Sequence, residues 1–297
     1  YGIQACYSAG SSGGSVGSIA RGSCYGYHAC DSAGANDGIV GSISGESCDG
    51  SYACSYAGSS GSVRSITGRS CDGSYACFYA GRSGSVGSIT DGSCIGDEAC
   101  YYAGSSGRVG DISSGSCYGF QTCYCAGYSS GSVGDITEGS CHGVVACYFA
   151  GSRGSVGSIS SGSCDGNYAC YSAGSGSGIV GDITDGSCNN DYACAELGMR
   201  GNVDGVIGSC KAINACLCLG SRTSAVAGVT TSVGAIWSSC NAEESCYQLV
   251  RDKAAPVGTI SNSCNIDRGC YRLGQSSLIS PRMEMVWCCN DVEGQCL

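Results

Sequence analysis

The chain has 297 residues, with 52 Gly and 28 Cys but only 2 Pro, 3 Phe and 2 Trp. Collagen needs Pro every few residues as well as Gly at every third, so the two prolines exclude a collagen or a Pro-rich stalk. No apolar run approaches the roughly 20 residues that span a bilayer, and a net charge of −10 without a basic cluster argues against a nucleic-acid partner. With only 2 His, we expect no metal, no cofactor and no enzymatic activity.

The cysteines indicate an oxidising compartment. Zinc sites use closely spaced Cys pairs with further Cys or His ligands, whereas the recurring spacing here is C-x5-C with almost no His. Disulfides in a secreted protein fit this spacing better, so we expect the extracellular space or the cell surface. The first residue is Tyr1 rather than Met, which suggests a removed signal peptide or a chain that continues upstream.

One unit recurs along most of the chain. It reads GSVGSI-x-x-GSC-x-G-x-x-AC-x-x-AG, as in residues 84–104, and its first cysteine returns after 22 to 24 residues, with one step of 30. The second cysteine always lies six residues after the first, which predicts one local disulfide per unit. The predicted pairs are Cys24 and Cys30, Cys48 and Cys54, Cys71 and Cys77, Cys94 and Cys100, Cys117 and Cys123, Cys141 and Cys147, Cys164 and Cys170, Cys188 and Cys194, Cys210 and Cys216, Cys240 and Cys246, and Cys264 and Cys270.

The period predicts an all-β fold, a disulfide-laddered β-solenoid of about twelve coils of 23–24 residues. Gly and Ser at this density disfavour a helix, and short β-branched pieces such as Ser85–Ile89 suit strands. At the ~4.8 Å strand spacing, the rod would be roughly 55–60 Å long. A bundle of polyproline-II strands packed through Gly81, Gly84 and Gly87 is the alternative, although the triplet pattern breaks before each Gly-Ser-Cys.

Substitutions between units indicate the core. The position three after the second Cys is Ala in the early units, such as Ala103, and becomes Leu from Leu197 onwards, never polar. Val86 and Ile89, with their equivalents, form another apolar set. So small a core needs further stabilisation. Each short disulfide loop should add about 2–3 kcal/mol to the free energy of unfolding.

The units change character along the chain. We divide it into a regular Gly/Ser/Cys solenoid (1–196), degenerate and more apolar repeats of the same solenoid (197–274), and a C-terminal cap or docking tail (275–297). An insertion at 221–232 accounts for the one step of 30 residues.

Some cysteines fall outside the eleven pairs and are candidates for intersubunit or irregular roles. Because Tyr1 aligns inside a unit, the tail of one subunit could complete the first coil of the next, with Cys6 bonded to Cys296 or Cys288, and so build a head-to-tail filament. The alternative is that the chain continues upstream of Tyr1. The six unpaired cysteines are Cys6, Cys125, Cys218, Cys288, Cys289 and Cys296.

Aromatic residues recur at the two positions that follow the second Cys. If this segment is a strand, the two sets point to opposite faces, and one of them is exposed. Stacked rings could stiffen the sheet, pack against a neighbouring rod, or bind sugar rings or ice. The first set is Tyr7, Phe78, Tyr101, Tyr124, Tyr148, Tyr171, Tyr247 and Tyr271, and the second, our candidate packing or ligand face, is Tyr56, Tyr79, Tyr102 and Phe149.

Other polar residues give weaker signals. Asp111, Asp135 and Asp182 share one repeat position and could hold Ca²⁺, but a solvated surface is the simpler interpretation. His28 and His142 lie in different units at different repeat positions, which does not favour a catalytic triad.

The repeat resembles two groups of known proteins. The C-x5-C staple inside a short coil resembles the Cys-rich β-solenoid antifreeze proteins of insects, which implies a similar architecture and staple. Their coils are about half as long and carry T-x-T arrays that this chain lacks, so ice activity is not implied. Over about residues 1–274, the unit SC-x-G-x-x-AC also resembles Cys-rich tandem repeats of uncharacterised secreted proteins from microalgae and bacteria.

These observations favour an extracellular structural protein whose subunits stack head to tail into a fibril. The partner of the chain would then be itself, as a homopolymer, and a glycan, attached or bound, is a further candidate. The alternative function is an ice- or glycan-binding solenoid module.

Overall fold

The computed structural model describes residues 3–222, 231–249 and 257–272, together with the backbone of residues 283–286. These residues form a parallel β-solenoid, and no helix occurs among them. The predicted all-β, disulfide-laddered solenoid is therefore confirmed. Between successive units the chain passes once around the coil and returns to the same sheet.

Short strands build the sheet. Five-residue strands open the stack, and most later coils contribute two-residue strands. They are β1 (Ser15–Ile19), β2 (Ile39–Ile43), β3 (Ser62–Ile66), β4 (Ser85–Ile89), β5 (Arg108–Val109), β6 (Ser132–Val133), β7 (Ser155–Val156), β8 (Ile179–Val180), β9 (Ile183–Thr184), β10 (Asn202–Val203), β11 (Val206–Ile207), β12 (Ser232–Val233), β13 (Ile236–Trp237), β14 (Val257–Ser261) and β15 (Met283–Val286).

Equivalent residues of successive units lie directly above one another. In β3 and β4, Val63 pairs with Val86 and Ile66 pairs with Ile89. This parallel ladder excludes the bundle of polyproline-II strands, because such strands carry no ladder of this kind. The register also survives the insertion, since β10 pairs directly with β12. At the far end β15 pairs in parallel with β14, so the sheet continues into the region predicted to be a cap or docking tail.

The rest of each coil is a series of tight turns rather than strand. After Cys77, N–H groups bond alternately to the carbonyl three residues back and to another coil. Phe78 N donates to Tyr75 O (3.2 Å), for example, and Cys77 N donates to Ala53 O (2.6 Å). Gly81 N donates to Ala103 O of the following coil (2.8 Å), so each coil is bonded to both neighbours.

The turns place many side chains in the left-handed backbone region. Tyr75 (φ 58°), Tyr79 (φ 60°) and the disulfide-bonded Cys71 (φ 60°) all lie there, and the same positions recur in the neighbouring coils. A non-glycine residue in this region costs on the order of 1 kcal/mol. The cost returns in every coil, so the hydrogen bonds between coils and the disulfides must offset it.

The predicted core positions lie inside the coil. Val86 and Ile89 are buried, and so are Ala103 and the larger Leu197 at the position three after the second Cys. The eleven C-x5-C pairs are disulfides with both sulfur atoms in this core. The core is thus a column of Val, Ile and Ala or Leu beside a column of disulfides.

A buried column of serines runs next to the disulfides, and sequence reasoning missed it. Each serine directly precedes the first Cys of its unit. Ser116 donates its Oγ–H to Ser113 O (2.7 Å), and its Oγ accepts the backbone N–H of Ser140 in the next coil (3.3 Å). Ser93 Oγ likewise accepts the N–H of Ser116 (3.3 Å). We call this column the serine ladder: Ser47, Ser70, Ser93, Ser116, Ser140, Ser163, Ser187, Ser209, Ser239 and Ser263.

The serine ladder should contribute measurably to stability. Ser116→Ala removes the acceptor of the buried Ser140 N–H, and an unsatisfied buried donor costs about 1–3 kcal/mol. We expect the guanidinium midpoint of the non-reduced chain to fall accordingly. The control Ser51→Ala, at an exposed serine, should change the free energy of unfolding by less than about 0.5 kcal/mol. Equal midpoints for the two variants would contradict a structural role for the ladder.

Candidate functional site

The most regular side-chain array on the outside of the coil is aromatic. Phe78, Tyr101, Tyr124, Tyr148 and Tyr171 follow the second Cys in five consecutive coils. Their adjacent rings stack with centroids 4.8 to 5.8 Å apart and interplanar angles of 3° to 25°. We call this column the main stack. It follows from the register, because these five coils each carry a ring at the same position of the repeat.

Two shorter columns flank the main stack. Tyr79 and Tyr102 stack at 5.0 Å one position further along the unit, and Tyr56 lies 5.2 Å from Tyr79. On the other side, Tyr52 stacks on His28 at 5.1 Å and on Tyr75 at 5.0 Å. Further along the rod, Tyr168 and Tyr192 stack at 4.9 Å in this same column. The three columns together form the aromatic face.

The prediction that the two positions after the second Cys point to opposite faces is wrong. Phe78 and Tyr79 lie with their ring centroids 4.1 Å apart, and Tyr101 and Tyr102 lie 4.6 Å apart. The reason is the backbone: the second position has a positive φ, for example 59° at Tyr102, so the segment turns instead of alternating as a strand does. Both sets therefore belong to one half-buried surface.

The column that contains Tyr52, Tyr75, Tyr168 and Tyr192 was not predicted. These residues stand two positions before the second Cys. The recurring Tyr-Ala-Cys was the available signal. It was weak, because Glu98 and other polar residues occupy the same position in neighbouring coils.

The packing changes the acidity of the phenols in the main stack. Burial, with the Cys125 thiol and Tyr148 close by, raises the pKa of Tyr124 to about 12. Burial also raises the pKa of Tyr101 and Tyr148, and neighbouring tyrosines add to both shifts. These three phenols therefore keep their protons to a higher pH than an exposed tyrosine does.

The stacking limits what the aromatic face can bind. A sugar ring recognised by an aromatic residue lies against the face of that ring. In the main stack, the faces of Tyr101, Tyr124 and Tyr148 are covered by other rings of the stack on both sides. What remains for solvent is mainly ring edges and hydroxyl groups, which suits a stiffening ladder better than a sugar platform.

Two of the irregular cysteines belong to the aromatic face. Cys125 takes the place of a ring between Tyr102 and Phe149, and burial raises its pKa to about 12, so that it stays a thiol. Cys218 is buried, and its Sγ lies 3.2 Å from Oε2 of Glu196. Both residues are buried, which disfavours a disulfide with a second copy of the chain.

Cys6 is exposed, and its sulfur lies within 4.8 Å of those of Cys24 and Cys30. The partners predicted for it, Cys288 and Cys296, lie outside the described residues, as does Cys289. Groups of three sulfurs at this spacing recur along the core. Their members from Cys24 onwards are bonded in disulfides, so they offer no thiolate for a metal.

The column of aspartates is part of the structure rather than only solvated surface. Asp111 Oδ1 accepts the backbone N–H of Ser88 (2.6 Å), and Asp135 Oδ1 accepts that of Asp111 (2.8 Å). Asp182 does the same for Ser158 (2.8 Å). Each carboxylate therefore binds the previous coil, which gives the position a role that requires no calcium.

The two histidines do not approach each other. His28 Nδ1 lies 2.8 Å from Oδ2 of Asp31, and His142 Nε2 lies 2.9 Å from the carbonyl oxygen of Gly115 in the previous coil. Five units separate them along the rod. The described residues thus bring neither histidine into a Ser–His–Asp arrangement.

No family model, curated protein or solved structure matches this chain. Within the described residues, no helix is long and apolar enough to cross a membrane.

The shifted acidity can be measured directly. The folded chain holds the Tyr124 proton up to about pH 12, whereas the phenol has an ordinary pKa of 10.0 in an unfolded chain. Between these values the unfolded state releases the proton first, so stability falls as the pH rises. In absorbance titrations at 295 nm, the difference between the wild type and Tyr124→Phe should have its midpoint near pH 12. A midpoint near 10 would contradict the packing described for this ring.

Proposed function

We propose that the protein is an extracellular structural element, a stiff rod whose copies stack end to end into a fibril. One observation carries the proposal: most side chains that recur in the repeat bind one coil to another. Cysteines, serines, aspartates and most tyrosines of the repeat bind the same coil or a neighbouring one. A rod with a structural role needs such contacts, because they hold successive coils together.

The same chemistry supports an extracellular location. Eleven disulfides among the described residues fit an extracellular protein, because a reducing cytosol would keep these thiols free. In this proposal the chain is secreted and matures at the cell surface or beyond it. The disulfides then hold the rod together outside the cell.

The proposed stacking uses the edge of the sheet at β1. Within the described residues, β1 pairs with β2 on one side only. Val16 and Ile19 are partly buried there, whereas their equivalents Val40 and Ile43 are buried in the next coil. A further coil of the same repeat would cover both side chains and satisfy the edge. The fibril proposal assigns that coil to a second copy of the chain, and the alternative assigns it to residues upstream of Tyr1.

Ice or glycan recognition has no specific observation in its favour. A binding face of that kind needs a uniform array, and the strand face is interrupted by Arg64, Arg108 and Asp111. In the main stack of the aromatic face, neighbouring rings cover the ring faces that a sugar would need.

Negative-stain electron microscopy of the native, non-reduced protein tests the proposal. We expect filaments with an axial repeat near 60 Å, about twelve coils at the ~4.8 Å strand spacing. Val16→Asp places a charge on the stacking edge and should leave short single rods. Ser106→Asp carries the same charge on the exposed side of the rod and should leave the filaments intact. Short rods from the wild-type protein would contradict the fibril.

A further inference from the structure

Between Phe78 and Tyr271 the column of rings that contains the main stack is interrupted once. The position after the second Cys is aromatic from Phe78 to Tyr171, then Ala195 and Leu217, and then aromatic again at Tyr247 and Tyr271. Tyr247 and Tyr271 stack at 5.1 Å, so the column resumes with its usual spacing. Two consecutive coils therefore lack the ring that their neighbours carry. We call this place the ring gap.

The ring gap is a depression on the surface. It has a volume of about 440 Å³, which lies in the range of small-molecule sites. Its apolar floor is Ala195 and Leu217, and Tyr168, Tyr192 and Tyr247 stand around it.

Tyr171 lines the ring gap on the side of the previous coil. One face of its ring is turned towards the gap and is not covered by another ring of the main stack. Its ring stacks on Tyr148 at 5.8 Å on the side of the previous coil, and it meets Tyr168 of its own coil at a tilt of 57°. Towards Ala195 it contacts no other ring among the described residues. A flat ring placed over Ala195 would therefore continue the offset stacking that Tyr171 makes on its other side.

A carboxylate stands beside the ring gap. Glu196 also lines the depression, and its Oε2 is 3.2 Å from the Cys218 sulfur. At the other end of the depression, Gln248 Nε2 donates to the hydroxyl oxygen of Tyr247 (3.2 Å). The Arg272 guanidinium lies 5.8 Å from the centre of the Tyr247 ring. A carboxylate among tyrosines favours a cation, since both the charge and the electron-rich ring faces attract it. The net charge of −10 adds to that attraction.

We propose that the ring gap binds small aromatic compounds that carry an ammonium group. The aromatic ring of the ligand stacks on Tyr171 above Ala195 and replaces the side chain that the other coils supply. The ammonium group lies against the Glu196 carboxylate. This site is independent of the structural function proposed above, because it lies on the side of the rod and not at the stacking edge.

Tyramine is the probe, since it has a phenol ring and an ammonium group, and 4-ethylphenol is its counterpart without the charge. Titration of the non-reduced full chain by isothermal calorimetry or ligand-observed NMR should show one saturable tyramine site. For a ligand of this size we expect a dissociation constant on the order of 0.1–1 mM. Binding of 4-ethylphenol should be weaker.

Ala195→Tyr inserts the residue that other coils carry at this position, and it should weaken tyramine binding at least about 10-fold. The control Ser51→Tyr adds a ring at an exposed position of another coil, away from the ring gap. This control should bind tyramine as the wild type does.

Glu196→Gln tests the charge without adding volume. It should weaken tyramine binding about 5-fold to 10-fold and leave 4-ethylphenol binding unchanged. Because this comparison uses two ligands on one variant, it does not depend on the folding of Ala195→Tyr. The proposal is overturned if the wild type shows no saturable site, if Ala195→Tyr binds as well as the control, or if Glu196→Gln affects both ligands equally.

Discussion

The in-register stacking of identical coils is the constraint on which the rest of this structure depends. Each coil donates hydrogen bonds to the coil before it and to the coil after it, as Cys77 and Gly81 do. A residue type that recurs in the repeat must therefore tolerate a copy of itself at each strand spacing, about 4.8 Å away. Disulfides, serines and tyrosines meet this condition in different ways, and each forms its own column along the rod.

The columns also explain why so lean a core is sufficient. The turns hold residues such as Cys71 and Tyr79 in the left-handed backbone region, at a cost that recurs in every coil. A disulfide across six residues restricts the same turn in the unfolded chain. In the loop-entropy model, this stabilises the folded state by about 2 kcal/mol. The serine ladder satisfies buried N–H groups at the neighbouring position. Each coil therefore carries the interactions that compensate for its own strain.

The constant period predicted the solenoid. The inward positions were predicted by substitutions between units, such as Ala103 and Leu197, which occupy the same repeat position, stay apolar and are both buried. The shared face of Tyr101 and Tyr102 could not be predicted in this way. It depends on the left-handed backbone of Tyr102, and a tyrosine gives no sequence signal for that conformation. The serine ladder was hidden for a different reason: serine is so frequent here that a buried one looks like any other.

Disulfide mapping of the non-reduced protein tests the central claim most directly, that each repeat closes one coil. Proteolysis and mass spectrometry without reduction should recover the described cysteines as local pairs six residues apart, such as Cys94 with Cys100 and Cys141 with Cys147. Because neighbouring coils bring their sulfurs close together, a misregistered stack would give pairs between different units. Such pairs as the main species would contradict the stacked coil.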